Sequence, residues 1–534
     1  MEPLKTRDAT EETGAGAVDI ARLASEFGLD HVAEVTPEML DSSLVAHLPV
    51  EWARDHCLLP VRIDGALCVL TCDPSRVNDQ ENLALLLGEE LRPVVASRDA
   101  IMSGIEKCYY SRQESAEEFL RDLDAPDMQT TGIRQRSDDL LQIAENAPTS
   151  QLVNVILLEA LKARASDVHV EPFESRLRIR YRIDGTLYEQ ALPPKHIEQS
   201  LVSRLKVMAH MDIAEKRLPQ DGMAKVRVGE REIDIRVSTV PVAEGERVVL
   251  RLLDRSSALL PLQELGMPAG VLEEFRRLLK QTNGLILVTG PTGSGKTTTL
   301  YAALGELDSN GLNIMTIEDP IEYQLTGIGQ IQVKPKIGLT FADGLRHILR
   351  QDPDVILVGE TRDEETAETA ARSSLTGHLV FTTLHTNDAA SAIVRMTDMG
   401  VEPYLLAASL RGALAQRLLR RLCPACRKRG EPDKKELERL GNAADSLKDC
   451  GVWTATGCAQ CLGGYKGRVG VYELLVADGE LQEYVREGAC SIRDVRRIAG
   501  KQGAGTLLSD GLDKVRNGVT TMAELIRVLG SSET

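Results

Sequence analysis

The sequence predicts an α/β protein of several domains, organised around a doubly wound P-loop core. Three observations carry this. The run Gly284-Leu-Ile-Leu-Val-Thr-Gly290 is continuously apolar, as buried parallel strands are, and leads straight into Gly290-Pro-Thr-Gly-Ser-Gly295-Lys296-Thr297. Apolar runs at 313–317, 355–359 and 379–383 follow, separated by helical segments. The 534 residues exceed what one core fills, and 43% hydrophobic with 27% charged residues is a globular composition.

In chain order, residues 1–17 read as a polar tail and 1–110 as a small N-terminal α/β domain. Within it, Leu58–Cys72 reads as two strands around an Asp64-Gly65 turn. Residues 111–149 are acidic and poor in apolar side chains, a linker composition. The second domain, 150–262, starts with an amphipathic helix at Gln151–Ala165. It continues with period-two runs at Asp167–Glu171, Arg176–Gly185 and Glu232–Ser238, the middle one placing arginines on one face. The P-loop core spans 263–422, a cysteine-bounded insertion 423–461, and a C-terminal helical region 462–534.

Composition excludes several classes. No run approaches the roughly 18 apolar residues of a membrane span, and the first residues lack a signal-peptide core, so a cytoplasmic location is expected. Aromatics at 3% and a net charge of −17 argue against nucleic-acid binding. The charge is unevenly placed: residues 1–150 carry a net −16 and the other 384 a net −1. Ten cysteines in such a chain are thiols or metal ligands rather than a disulfide framework.

The P-loop is the most specific signal. Its glycines let backbone N–H groups surround phosphate oxygens at a helix N-terminus. Gly290, Pro291, Thr292, Gly293, Ser294, Gly295, Lys296, Thr297 and Thr298 are the nucleotide-binding candidates. Lys296 is expected on the β/γ-phosphates and the Thr297 hydroxyl on Mg²⁺. Asp354-Val-Ile-Leu-Val-Gly-Glu360 delivers a carboxylate to a strand end, like a Walker B strand with Glu for Asp. Ile317-Glu-Asp-Pro-Ile-Glu322 supplies three acids, of which one suits a water-activating base and another the metal's water shell. His378 and His385 flank the strand at 379–384 and are γ-phosphate sensor candidates, with hydrogen-bonded bystanders as the alternative.

Cys423-Pro-Ala-Cys426 and Cys458-Ala-Gln-Cys461 are two C-x₂-C pairs, together a four-thiolate set for structural Zn²⁺. The 31 residues between the pairs make a long loop but add little closure cost. A redox dithiol is the rival. Cys450 reads as a free thiol, and Cys57, Cys68, Cys72, Cys108 and Cys490 as small core residues.

Beyond these readings, the P-loop, Thr316–Tyr323, Leu349–Asp354, Gly359–Asp363, Leu375–Leu379 and Thr383–Asn387 resemble the secretion-ATPase family of type II secretion and type IV pilus assembly. The resemblance covers residues 150–475. It implies a RecA-like core preceded by a PAS-like domain, in homohexamers where ATP hydrolysis moves two domains of each subunit. By motif position Glu322 matches the family's catalytic glutamate, Glu318 and Asp319 complete its aspartate box, and Glu360 is the Walker B acid. His378 and His385 match its His box, and Arg236 and Arg251 its nucleotide-contacting arginines, with Arg180 and Arg182 as competitors. Thr361 departs from the family's usual Ile, with only a packing consequence expected.

A non-catalytic nucleotide sensor is disfavoured by the intact Lys296, Thr297, Glu322 and Glu360, and a nucleic-acid translocase by composition. Tyr323–Val333, Met399–Tyr404 and the N-terminal domain are most similar to the general secretion pathway E branch of the family. That implies a docking role for residues 1–110, on the cytoplasmic domain of a bitopic inner-membrane protein. It also implies contact with an inner-membrane platform protein and peripheral attachment through partners. Type IV pilus extension is the alternative. The paired leucine-rich repeat of cyclic-di-GMP-binding N-terminal domains is not found, which argues against second-messenger control.

Overall fold

The apolar runs at 284–290, 313–317, 355–359 and 379–383 become neighbouring strands of one sheet. The computed structural model describes residues 16–45, 48, 50–111, 148–228, 231–254, 260–447, 451–488 and 490–530. Residues 1–15 of the expected tail, 112–147 of the expected linker and Cys450 lie outside them. The chain forms two compact units, divided between Ser256 and Ser257.

In the first unit, β1 (Asp30–Val32), β2 (Leu58–Ile63), β3 (Ala66–Thr71) and β4 (Arg92–Ala96) form a sheet of order β1-β4-β3-β2. The β2–β3 hairpin turns at Asp64 and Gly65, with φ of 50° and 81°, the left-handed pair that matches strand twist. A six-stranded antiparallel sheet follows, built from β5 (Asp167–Pro172), β6 (Leu177–Ile183), β7 (Thr186–Ala191), β8 (Gln220–Val228), β9 (Arg231–Val242) and β10 (Gly245–Asp254). Its order is β7-β6-β5-β10-β9-β8. Along β6, Leu177, Ile179, Tyr181 and Ile183 are buried while Arg178, Arg180 and Arg182 stay partly exposed. Period-two alternation does this because successive side chains leave opposite faces. The helix Pro148–Lys162 covers the apolar face, where the Tyr181 hydroxyl donates to the Ile156 carbonyl at 2.8 Å.

The second unit holds β11 (Gly284–Thr289), β12 (Ile314–Glu318), β13 (Gly329–Gln332), β14 (Val355–Val358), β15 (Leu379–Leu384) and β16 (Leu410–Leu422). Beyond them come a two-stranded ribbon, β17 (Lys428–Gly430) with β18 (Val452–Thr454), and β19 (Tyr465–Val476). The main sheet has the order β13-β12-β14-β15-β11-β16-β19. All its pairings are parallel except β16 with β19. Strands β11, β14 and β15 are buried at every position, which accounts for their uninterrupted apolar sequence.

One expectation is corrected. The region from 462, read as helical, opens with β19, and four helices between Gly479 and Leu529 come only afterwards. The cysteine-bounded insertion is therefore a long connection between two strands of the main sheet. Among the described residues no helix is long and apolar enough to cross a membrane.

Candidate active site

Parallel sheets bind ligands at the carboxyl ends of their strands. Here the P-loop leaves the end of β11, and its helix begins at Lys296 and runs to Gly305. The loop lies directly on β16: a Cβ on Gly290 would sit 2.5 Å from the Gln416 carbonyl oxygen, and one on Gly295 2.8 Å from Gln416 Nε2. Gln416, 1% exposed, accepts from Thr299 Oγ1 at 2.8 Å and donates to the Ser294 carbonyl at 2.8 Å. Pro291, Thr292 and Gly293 are exposed, and Thr297 and Thr298 half-buried. The Ser294 hydroxyl is buried with no protein partner, an orphaned polar atom of the kind a phosphate group satisfies.

Lys296 Nζ bridges the loop, donating to the Gly290 carbonyl at 2.7 Å and the Pro291 carbonyl at 3.2 Å. Burial pushes its pKa down to about 8, the Glu360 carboxylate opposing and Arg417 adding to the shift. A polyphosphate at the loop favours the charged form, so nucleotide and proton bind together above pH 8. Calorimetry at pH 8.5 in buffers of different ionisation enthalpy should show uptake of a substantial fraction of a proton per nucleotide. At pH 6.5, where the amine is already charged, uptake at Lys296 should vanish.

Glu360 stands two residues past the end of β14, half-buried. It pairs with the Arg362 guanidinium, and His385 Nε2 lies 3.4 Å from its other oxygen. Thr361, expected only to pack, does more: its hydroxyl shares a 2.6 Å hydrogen bond with Thr382 Oγ1, and its N–H donates to the Thr383 carbonyl at 3.0 Å. These contacts pin the segment bearing Glu360 to the end of β15.

The three acids after β12 separate. Glu318 is 3% exposed and bonded to Tyr301, Thr316 and Gln330, while Asp319 is exposed and Glu322 half-buried in the following loop. Glu318 is thus a buried anchor joining the P-loop helix, β12 and β13. The two histidines separate as well. His385 follows the carboxyl end of β15, but His378 precedes its first residue, so the six-residue strand puts them about 20 Å apart. His378 Nδ1 is instead 2.8 Å from the Ser373 carbonyl oxygen. Within one chain only His385 joins the P-loop edge.

Arg236 and Arg251 belong to the first unit and are cross-strand partners on β9 and β10. Arg251 stands opposite Asp167 and donates to it through Nε at 3.1 Å. Of the competitors, Arg180 is bound at 2.8 Å through both Nε and Nη2 to Glu171, and Arg182 Nε lies 3.7 Å from Asp167.

The four cysteine sulfurs meet. Their Sγ atoms all lie within 4.8 Å of one another, with Cys423–Cys458 at 3.9 Å and Cys426–Cys461 and Cys458–Cys461 at 3.6 Å. A tetrahedral ion with bonds of about 2.3 Å to sulfur requires edges of about 3.8 Å. Four thiolates fit Zn²⁺ and leave it no open position.

Gln416 and Tyr301 were not singled out in the sequence. The available signal for Gln416 was an amide directly after the small, apolar run Gly412-Ala-Leu-Ala415, since a buried amide needs partners.

Residues 142–527 match the family described as Type II/IV secretion system protein, and residues 27–115 match the MshEN domain. The Type II secretion system protein E of Dickeya dadantii is 53% identical over 393 residues, 73% of this chain and 78% of that protein. The Type IV pilus assembly ATPase PilB of Myxococcus xanthus is 42% identical over 529 residues, 98% of this chain and 93% of that one. In fold, the Legionella pneumophila ATPase DotB superposes with a TM-score of 0.51 at 20% identity, covering 70% of this chain and 94% of that one.

Proposed function

This chain belongs to the type II/IV secretion system protein family, whose members hydrolyse ATP, and from that premise we propose that it is the hexameric motor of type II protein secretion. The carrying observation is the convergence of Lys296, Glu360 and His385 at one sheet edge beside the loop bearing Glu322. In this reading the P-loop amides and Lys296 hold the β/γ-phosphates. Thr297 holds Mg²⁺, whose charge offsets that of the phosphates. Glu322 takes the proton of the attacking water. Glu360 orders the water shell, and His385 senses the γ-phosphate.

Arg236 and Arg251 come from the first unit, so nucleotide draws the two units together and hydrolysis releases them. Zn²⁺ on the four cysteines is structural. The N-terminal domain, in the acidic part of the chain, docks on a basic surface of the cytoplasmic part of an inner-membrane secretion protein, and the zinc region touches the next subunit or the platform protein. Membrane attachment comes through those partners, and pseudopilus growth is the output.

Pilus assembly is the second reading, favoured by the match to PilB along 98% of the chain. A strain lacking the chain separates the two. Loss of exported proteins from the medium with pili intact, restored by the wild-type chain and not by Lys296→Ala, is the expected result. Loss of pili with export intact assigns the chain to pilus assembly.

A further inference from the structure

Tyr301 is completely buried, on the helix that starts at Lys296, and nothing in the chemistry above uses its hydroxyl. That hydroxyl donates to one carboxylate oxygen of Glu318 at the end of β12. The other oxygen of Glu318 accepts from Thr316 Oγ1 at 2.6 Å and Gln330 Nε2 at 3.1 Å. A buried carboxylate is costly unless bonded in this way, so apolar packing would serve a purely structural joint as well. The network reaches further. Gln330 Nε2 donates to the Tyr323 carbonyl at 3.2 Å, and its Oε1 accepts from the Leu325 N–H at 2.7 Å.

Contacts from the P-loop helix meet the same loop. The rings of Tyr301 and Tyr323 meet edge-on, with centroids 4.9 Å apart at 87°. The loop bearing Glu322 is therefore fastened to the helix bearing Lys296 and Thr297 and, through Gln330, to β13.

We propose that Tyr301, acting through Glu318 and Gln330, is a positioning residue that sets the distance between the phosphate-holding helix and Glu322. The inference rests on Glu322 being the base. A water held for in-line attack loses on the order of 10²-fold in rate for a displacement of about 1 Å. The other groups that bind ATP do not depend on this fastening, so affinity should be spared.

Tyr301→Phe keeps the ring and removes only the hydroxyl. Its kcat should fall on the order of 10- to 100-fold, with KM for ATP within about twofold of wild type. In the Glu322→Gln background the same change should cost nothing more, because the group being positioned is already gone. Gln330→Ala, on a half-buried side chain, should repeat the pattern and serves if Tyr301→Phe folds poorly. Wild-type kcat in a folded Tyr301→Phe protein, a parallel change of kcat and KM, or a full further loss in the Glu322→Gln background would each overturn the proposal. If Glu322→Gln itself turns over normally, the assignment of the base fails. If Glu322→Gln is slow while Tyr301→Phe is fast, only the positioning role fails.

Discussion

Glu322→Gln should bind ATP like the wild-type chain and hydrolyse it on the order of 10²- to 10⁴-fold more slowly. The amide has nearly the carboxylate's shape, so the loop beyond β12 keeps its hydrogen bonds to Gln330. What is lost is the capacity to accept a proton from water. Fluorescent-nucleotide binding and steady-state phosphate release on the same preparation measure the two halves separately. Unchanged turnover would exclude Glu322 as the base and shift attention to Glu360. Lys296→Ala provides the contrast, since it removes the phosphate contact and should weaken binding itself. The pair of variants thus separates holding the nucleotide from attacking it.

Cys426→Ser should lower metal content from about one zinc per chain to near zero and destabilise the second unit. Strands β16 and β19 meet at Leu422 and Tyr465, so their pairing closes a loop running from 423 to 464. Closing a flexible loop of that length costs about 3 kcal/mol of chain entropy, which bound metal largely removes. For a unit this size the melting midpoint should drop by about 5 °C. Metal analysis and thermal unfolding, with and without chelator, check both parts. A chelator that lowers the wild-type midpoint and leaves Cys426→Ser unmoved is the expected pattern. Full zinc content in the variant would exclude the four-thiolate site.

What was legible in the sequence was what short segments decide. The P-loop, the buried strands and the two C-x₂-C pairs each contain within a few residues the features that determine them. Harder to read were residues whose meaning depends on a distant partner. Gln416 matters because Ser294 and Thr299 lie against it, more than a hundred residues away in the chain. Tyr301 reads as an ordinary core aromatic until Glu318 and the Glu322 loop are brought beside it. Strand β19 was hidden because its partner lies on the far side of the insertion. His378 shows the reverse difficulty. Two histidines flanking one strand look like neighbours, but a strand's two flanks are its two ends. Thr361 belongs with these, since its partner hydroxyl on Thr382 is supplied by the adjacent strand.

The cysteine cluster at the open end of β16 and β19 also bears on the order of synthesis. The last ligand, Cys461, leaves the ribosome four residues before Tyr465, where β19 begins. If the four thiolates hold zinc as proposed, the metal site is complete as soon as Cys461 emerges, while β19 is still being translated. The closing strand then arrives at a junction already gathered, and the edge of β16 spends little time as an uncovered strand open to pairing with another nascent chain.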